Sequence, residues 1–396
     1  MSAADSLPVV RPTSAAEAGE VVRAAVAAGA GVYPVGRRTE PDPGTPLAKP
    51  GTVLDTTGLA GMVDYPARDM TVTVRAGTAA AELNRVLAAE NQRLPVDLGN
   101  GTVGGAVATD RSGPRRLGYG TLRDYLIGCR FLTPAGDEVS AGGRVVKNVA
   151  GYDLMKLHAG AWGTLGVLTE LTFKVVPRPE STAVVVFGLN PAAVGPTLDR
   201  LHASAARPVC VEVYNRAAAV ARRLPVAEPW VVAVGFEEKA VTVTWQVETL
   251  LAELKAAPVR GTVAVRDADA GPLWDAITGR PAATGLLFRG AARPSRLVDV
   301  LLSPALDGSC VAAHGLSGGF TVESVAATAT AASEQLATLR AAAGDGHVSV
   351  RRRPAGWAAW RPPTAPPRND HALMLAVKRA LDPTDVFNPG RPPGLG

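Results

Sequence analysis

Apolar and polar positions in the first part of the chain switch between two periods. Val21, Val22, Ala25 and Val26 fall at helical spacing behind Ser14 and Glu17. This predicts a helix with Ser14 at its N-cap, a capping box and a stop at Gly29. A short apolar run over 32–35 predicts a strand ending at Gly36, and Val53, Leu54 and Asp55 predict another. Residues 71–76 alternate Thr and Val at period two, a third strand. Thr78 is expected to cap a helix through Leu83, Val86 and Leu87. Glycine-rich chain fills 97–120. A hairpin follows over 125–132, turning at Pro134-Ala135-Gly136-Asp137 and returning from Glu138. A short helix over 152–158 and a long strand over 166–176 complete this part. Pro177-Arg178-Pro179 reads as a linker. Beyond it the pattern restarts as strand 183–187, helix 192–205, strands 208–213 and 231–235, and helix 239–254. That order predicts an antiparallel sheet with helices on one face. Prolines over 362–367 precede a last helix, capped at Asn369 or Asp370 and ending at 380–383.

Composition narrows the class. With 396 residues and 47% hydrophobic content, the chain is long enough for two or three domains, each with a core. The 42 glycines and 32 prolines imply many turns and strands. A net charge of +5, spread over scattered arginines, gives no nucleic-acid stripe. Cys129, Cys210 and Cys310 lie far apart and form neither a CxxC pair nor a disulfide framework, which suits a reducing compartment. The N-terminus lacks the basic and apolar regions of a secretory signal. No apolar run approaches the roughly 20 residues of a spanning helix. A soluble, intracellular, multidomain α/β-type protein is expected.

Motifs for chemistry are few. Gly99, Gly101 and Gly104 satisfy G-x-G-x-x-G, the spacing of a nicotinamide-binding turn. Pro95 before it and Gly113-Pro114 after it deny the strand and long helix that a dinucleotide turn needs. No P-loop and no G-x-S-x-G elbow is present. The histidines (His158, His202, His314, His347, His371) form no metal-ligand spacing, and His314 and His347 read as surface-loop residues. Glycines cluster in bursts over 99–105, 113–120 and 142–166. Such bursts fit backbone passing close to a large anionic ligand, and equally the loops of a glycine-rich protein.

A resemblance separates these readings. The run Gly142-Gly143-Arg144-Val145-Val146-Lys147-Asn148-Val149-Ala150-Gly151-Tyr152-Asp153-Leu154, with Gly160-Ala161-Trp162-Gly163-Thr164-Leu165-Gly166-Val167, resembles the third flavin-contacting segment of the vanillyl-alcohol-oxidase/PCMH-type FAD-binding family, in its glycolate-oxidase branch. Residues 32–39 resemble that family's pyrophosphate loop. Residues 103–109 and 112–124 resemble its second segment. Residues 381–391, Leu-Asp-Pro through Phe-Asn-Pro-Gly-Arg, resemble its C-terminal signature. The resemblance implies FAD as cofactor and a PCMH-type domain of two α+β subdomains over 1–178. An α+β cap domain over 179–350 and a segment over 351–396 returning to the flavin domain are implied with it. It implies that Gly36, Arg37, Arg38 and Thr39 face the pyrophosphate. Asp97, Thr102, Gly104, Gly105, Thr109 and Gly113 would line the flavin, and Gly151, Gly163, Gly166 and Val167 would complete the channel. The implied reaction is oxidation of a small 2-hydroxy acid by hydride transfer to flavin. Electrons would leave through an iron–sulfur subunit, beside a companion flavin catalytic subunit.

The chain departs from that pattern where ligand is expected. Arg37 and Arg38 stand at glycine positions of the pyrophosphate loop, Asp110 replaces a usual Asn, and Ala161-Trp162 replaces a Ser-x pair. Arginine neither adopts positive φ easily nor lets phosphate approach the backbone. Its charge can pair with phosphate from the side. Two bulky residues in such a loop read more as decay of an ancestral site than as adapted phosphate recognition. A non-catalytic assembly subunit of the same fold is therefore the alternative. No residue is identified as the catalytic base.

Overall fold

Ser14 caps the first helix as the sequence predicts, its Oγ accepting from the Glu17 N–H at 3.2 Å. The reciprocal arm differs: Glu17 takes the Thr13 N–H at 2.8 Å and not that of Ser14. In this computed structural model residues 7–39, 47–143, 152–279, 285–357, 359–363 and 370–391 are described. In chain order the first elements are β1 (Val9–Val10), α1 (Ala15–Ala27), β2 (Gly31–Val35), β3 (Gly51–Asp55), β4 (Met62–Asp64), β5 (Thr71–Arg75), α2 (Ala80–Ala89) and β6 (Gln92–Arg93). Then come α3 (Val103–Ala108), α4 (Arg116–Tyr119), β7 (Leu126–Leu132), β8 (Glu138–Gly142), α5 (Met155–His158), β9 (Val167–Lys174) and β10 (Val176–Pro177). Thr78 does not cap α2. Its hydroxyl instead donates to Gly61 O at 3.2 Å and accepts the Gly61 N–H at 3.0 Å.

The chain divides into two compact units, residues 1–112, 121–178 and 365–396 in one, 113–120 and 179–364 in the other. In the first unit, β1, β3 and β2 form a parallel three-stranded sheet. The strands β4-β5-β9-β7-β8 form an antiparallel five-stranded sheet. The Thr/Val alternation of β5 is satisfied on both sides. Val72 and Val74 enter a core with Leu83, Leu87, Leu171 and Phe173, while Thr73 Oγ1 meets Thr172 Oγ1 at 3.0 Å on the other face. A separate core joins Val22 of α1, Val32, Leu54 and Phe387, so the C-terminal tail is part of the parallel-sheet subdomain.

The second unit contains β11 (Ser181–Leu189), α6 (Val194–His202), β12 (Cys210–Asn215), α7 (Arg216–Ala221), β13 (Trp230–Glu238), α8 (Ala240–Leu254), β14 (Arg260–Arg266) and α9 (Gly271–Thr278). It continues with β15 (Leu286–Ala291), α10 (Pro294–Leu301), β16 (Cys310–His314), β17 (Gly319–Ser324), α11 (Ala329–Ala343) and β18 (His347–Arg352). The last helix, α12 (His371–Leu381), belongs to the first unit. Asp370 precedes it without a side-chain capping bond. The strands make one antiparallel sheet in the order β14-β11-β13-β12-β16-β17-β15-β18.

The sequence pattern predicts helices on one face of this sheet, but the structure has them on both. Val185, Phe187, Val211, Val213, Val232 and Val234 pack under α6, α8, α10 and α11. The alternate positions Val184, Val186, Tyr214 and Val231 pack with Ala218 and Ala219 of α7 and Trp274 and Ile277 of α9. Fully apolar strands in this half of the sheet require cover on both sides. His314 and His347 also depart from expectation: they lie on strands β16 and β18, not in loops.

The structure draws the division of the chain differently in two places. Residues 113–120 join the second unit, because Gly118 N donates to Val209 O at 3.1 Å and Arg115 reaches Glu237 Oε1 at 2.9 Å. The return to the first unit comes at 365 and not 351, because β18 pairs with β15 and Arg340 holds Pro363 O at 2.7 Å.

Candidate functional site

Parallel strand β2 ends in the turn 36–39, the segment the sequence assigns to a pyrophosphate. Gly36 sits hard against Thr102: a Cβ there would lie 2.3 Å from Thr102 Oγ1. A Cβ on Gly101 would lie 2.6 Å from Thr39 Oγ1. The absence of two side chains therefore brings the 36–39 and 99–105 turns together. Arg37, Arg38 and Thr39 are exposed. Arg38 holds φ +52°, the left-handed conformation that glycine adopts without strain.

Thr102 caps α3, its Oγ1 accepting the Gly105 N–H at 3.1 Å. The other leading amides of this helix are already bonded, Val103 N to Thr78 O at 2.9 Å and Gly104 N to Ala76 O at 2.7 Å. Gly104 serves packing, since a Cβ there would lie 2.7 Å from the Ala76 methyl. The amides of Gly104 and Gly105 thus hold the protein together and are not donors for an anion. Thr109 is buried and its hydroxyl donates to Gly105 O at 2.8 Å. Asp110 ends the helix with φ +43°, a conformation that Asp and Asn share, which explains why Asp can replace Asn in the backbone here. Arg111 brings its guanidinium against Gly99, whose Cβ would lie 2.4 Å from Cζ. Asp97 is half-buried just before this turn.

The 160–166 turn docks on the C-terminal end of α3. Gly160 N donates to Val107 O at 3.0 Å and Trp162 N to Ala108 O at 2.7 Å. The tail then locks the turn: Asn388 Nδ2 donates to Trp162 O at 2.7 Å and Asn388 N to Val32 O at 2.9 Å. Gly163, at φ +65°, leaves room for that amide, which would be 3.1 Å from a Cβ. The Arg391 guanidinium lies 5.9 Å from the Trp162 ring centroid. Val167 is buried in the core beside Leu132. Among the sequence-assigned residues, Gly36 to Thr39, Thr102, Gly104, Gly105, Thr109 and Gly163 are thus joined directly or through one neighbour. Gly113 groups with the second unit, and Gly151 lies outside the described residues. Sequence reasoning did not single out Arg111, Asn388 or Arg391 as site residues; the Asn-Pro-Gly-Arg tail signature was the available signal.

Gly166 is a packing position. A Cβ there would lie 2.7 Å from Leu132 O, 3.2 Å from Phe131 and 3.3 Å from His158 Cε1. Gly166→Val is therefore expected to destabilise the unit itself and not to remove cofactor from an intact protein. A cost of roughly 2–4 kcal/mol is expected from overpacking against backbone. Thermal denaturation of the variant checks this, and an unchanged melting temperature would place the segment wrongly.

His158 lies beneath that turn, stacked on Phe131 with ring centroids 4.1 Å apart. Burial lowers its pKa from the ordinary 6.5 to about 4. The unfolded chain binds the proton more readily, so stability is full above pH 6.5 and declines as pH falls towards 4. The expected loss is about 2 kcal/mol by pH 5. Urea titrations at pH 7 and pH 5 measure it; His158→Leu should remove that part of the difference.

FAD carries a diphosphate, and the donor set suits one. Arg37, Arg38 and the Thr39 hydroxyl project from the 36–39 turn, and the Arg111 guanidinium abuts the 99–105 turn that packs on it.

Residues 7–142 match a family model described as FAD binding domain. Over 136 residues the chain is 41% identical to the glycolate oxidase subunit GlcE of Escherichia coli (strain K12), covering 33% of this chain and 39% of that one. It is 34% identical over 179 residues to the mitochondrial D-lactate dehydrogenase [cytochrome] of Arabidopsis thaliana, 45% of this chain and 32% of that one. A D-2-hydroxyglutarate dehydrogenase of Xanthomonas citri pv. viticola is 32% identical over 186 residues, 46% and 39% of the two chains. Each match thus spans less than half of the relative's length. A solved alkyldihydroxyacetonephosphate synthase shares the fold, with a TM-score of 0.69, 17% identity, and coverage of 96% of this chain and 76% of that one.

Proposed function

We propose that the protein is an FAD-dependent oxidoreductase subunit acting on a small 2-hydroxy acid of the glycolate, D-lactate or 2-hydroxyglutarate kind, because residues 7–142 match a model described as FAD binding domain and the relatives named above act on such acids. One observation carries the reading: both turns that meet at Gly36 and Thr102 lie inside the matched FAD binding domain. The flavin, when bound, supplies a two-electron acceptor for the hydride of the substrate α-carbon. Arg37, Arg38 and Arg111 would neutralise the diphosphate. Gly163 and Asn388 would hold the 160–166 turn at its fixed distance from α3.

Electrons would pass to an iron–sulfur subunit, with a companion flavin subunit in the same complex. The names of the relatives support a multi-subunit assembly. Within this chain the three cysteines are widely separated, and burial pushes the Cys129 thiol up to about 12, far from the thiolate a cluster requires. No helix among the described residues is long and apolar enough to cross a membrane. A cytoplasmic location, with membrane contact made by partners, belongs to the same proposal.

The second reading is an assembly subunit that has lost flavin. It is favoured by Arg38 at φ +52°, a bulky residue in a conformation that glycine adopts without strain. Anaerobic mixing of the purified, flavin-loaded chain with glycolate, D-lactate or D-2-hydroxyglutarate tests the first reading. Bleaching of the flavin by one of them is expected. A purified chain that takes up no flavin, with the companion subunits present, would favour the second.

A further inference from the structure

β14 borders the sheet of the second unit. Among the described residues it pairs with β11 alone, so one side of its backbone N–H and C=O groups has no strand beside it. An open edge of this kind is a template for another strand. Near its start the edge is irregular. Gly188 of β11 stands opposite Arg260 and Val186 opposite Val263, so one residue of β11 faces two of β14, and Gly261 takes φ +59°. At its end Asp267, with φ +51°, turns the chain into Asp267–Ala270. The stretch 262–266 lies between the bulge and the turn. Thr262, Ala264 and Arg266 are exposed, and Arg266 Nη1 donates to Thr244 Oγ1 of α8 at 3.1 Å. Val263 and Val265 are half-buried against the core under α7 and α9.

A second copy of the chain is the occupant this edge fits. A two-fold axis normal to the sheet sets two β14 strands antiparallel and keeps their α8 faces on one side. Because side chains alternate, only registers centred on a residue keep those faces together. Centred on Val263, each Arg260 would stand opposite an Arg266, and like charges directly opposed are destabilising. Centred on Ala264, the pairing uses the whole stretch between bulge and turn. Thr262 then faces Arg266, Val263 faces Val265, and Ala264 faces Ala264 of the second copy. Arg260 comes against the second copy's Asp267–Ala270 turn, where Asp269 is exposed. Gly188 and Val186 share one face of β11, so Arg260 and Val263 share the α9 side, onto which that turn leads. The basic start of each edge thus meets the acidic turn of the other, and the edge is self-complementary.

We propose that the β14 edge is a self-association surface, on which a second copy of the chain adds its own β14 antiparallel about a two-fold axis at Ala264. The paired stretch 262–266 is short for an interface, so the dimer is reversible and micromolar in strength.

Oxidation of the full Ala264→Cys chain with copper–phenanthroline tests the register. On the axis the two copies of residue 264 stand opposite each other, with Cα atoms about 4.5–5.5 Å apart, inside the range that a disulfide bridges. A covalent dimer is expected. Thr262→Cys lies about 14 Å along the strand from its own copy and is expected to cross-link no more than the parent, whose native cysteines give the background. Sedimentation equilibrium tests the charges. The parent chain is expected to dimerise in the micromolar range. Arg260→Asp alone and Asp269→Arg alone are each expected to weaken the dimer by about tenfold or more, since both copies of the contact turn repulsive. An equimolar mixture of the two variants is expected to recover the parent's affinity, because each substituted position then meets its opposite charge. Misfolding of either variant cannot produce that recovery. A parent that stays monomeric at high micromolar concentration, cross-linking of Ala264→Cys no faster than of Thr262→Cys, or a mixture no tighter than its components would overturn the proposal.

Discussion

Asp382→Ala is expected to cost the first unit about 3–5 kcal/mol, the penalty for taking the buried carboxylate from a buried ammonium and from two buried amides. Lys378 is almost fully enclosed, its side chain 10% exposed, and that of Asp382 is 0% exposed. The ammonium meets Asp382 Oδ2 at 2.5 Å and donates to Thr164 O and Phe387 O, each at 2.9 Å. Asp382 also accepts the Val386 N–H at 3.0 Å and the Phe387 N–H at 2.8 Å. One carboxylate therefore shapes the tail, and one ammonium ties the tail to the 160–166 turn. Alanine at 382 leaves the ammonium with Asp385 Oδ1, at 3.2 Å, as its remaining carboxylate and strands the Val386 and Phe387 amides. Urea denaturation of the variant should show the loss, and flavin affinity should fall with it as Asn388 leaves Trp162. The double variant Lys378→Met with Asp382→Leu should recover part of the stability, because two apolar groups strand no charge. A single-variant cost below about 1 kcal/mol would show that the network is not the anchor described.

Arg37→Gly with Arg38→Gly is expected to weaken FAD binding, by about 10- to 100-fold for the loss of one charge-assisted contact and more if both arginines engage. Glycine at 38 would relieve the left-handed backbone by about 1 kcal/mol, which opposes the effect without cancelling it. The sequence pattern alone favours the opposite sign, since bulky residues at glycine positions read as decay. The geometry changes the expectation because the leading amides of α3 are spent on Ala76, Thr78 and Thr102. Arg37, Arg38 and Arg111 bring cationic groups to the two turns that meet there. Fluorescence titration of FAD against the parent and double variant distinguishes the signs. Tighter binding by the variant would support decay.

Much of the fold is legible in the sequence because its signals are local. The Ser14 cap, the Thr/Val alternation of 71–76 and the 126–142 hairpin rest on near neighbours. What escaped it depends on distant partners. Thr78 looks like a helix cap, but Gly61 lies within reach and takes its hydroxyl. The strands of the second unit look half-buried until α7 and α9 return to cover the other face. His314 looks like a loop residue because its partner Glu212 is remote in sequence and adjacent only across strands. At the candidate site, glycines mark the right turns without saying why each is there. Gly36 admits a neighbouring turn, Gly104 a methyl group, Gly163 an amide and Gly166 a carbonyl. The arginines read as intrusions until the hydrogen bonds of α3 are counted.

The central claim is that the first unit holds FAD through these turns. Its most direct test is the flavin content of the purified chain after incubation with excess FAD and desalting. A flavin spectrum on the protein and release of close to one FAD per chain on denaturation are expected. Asp382→Ala is expected to lose that flavin, and the Arg37/Arg38 double variant to retain it more weakly. A folded parent chain that emerges colourless, and whose fluorescence does not respond to added FAD, would contradict it.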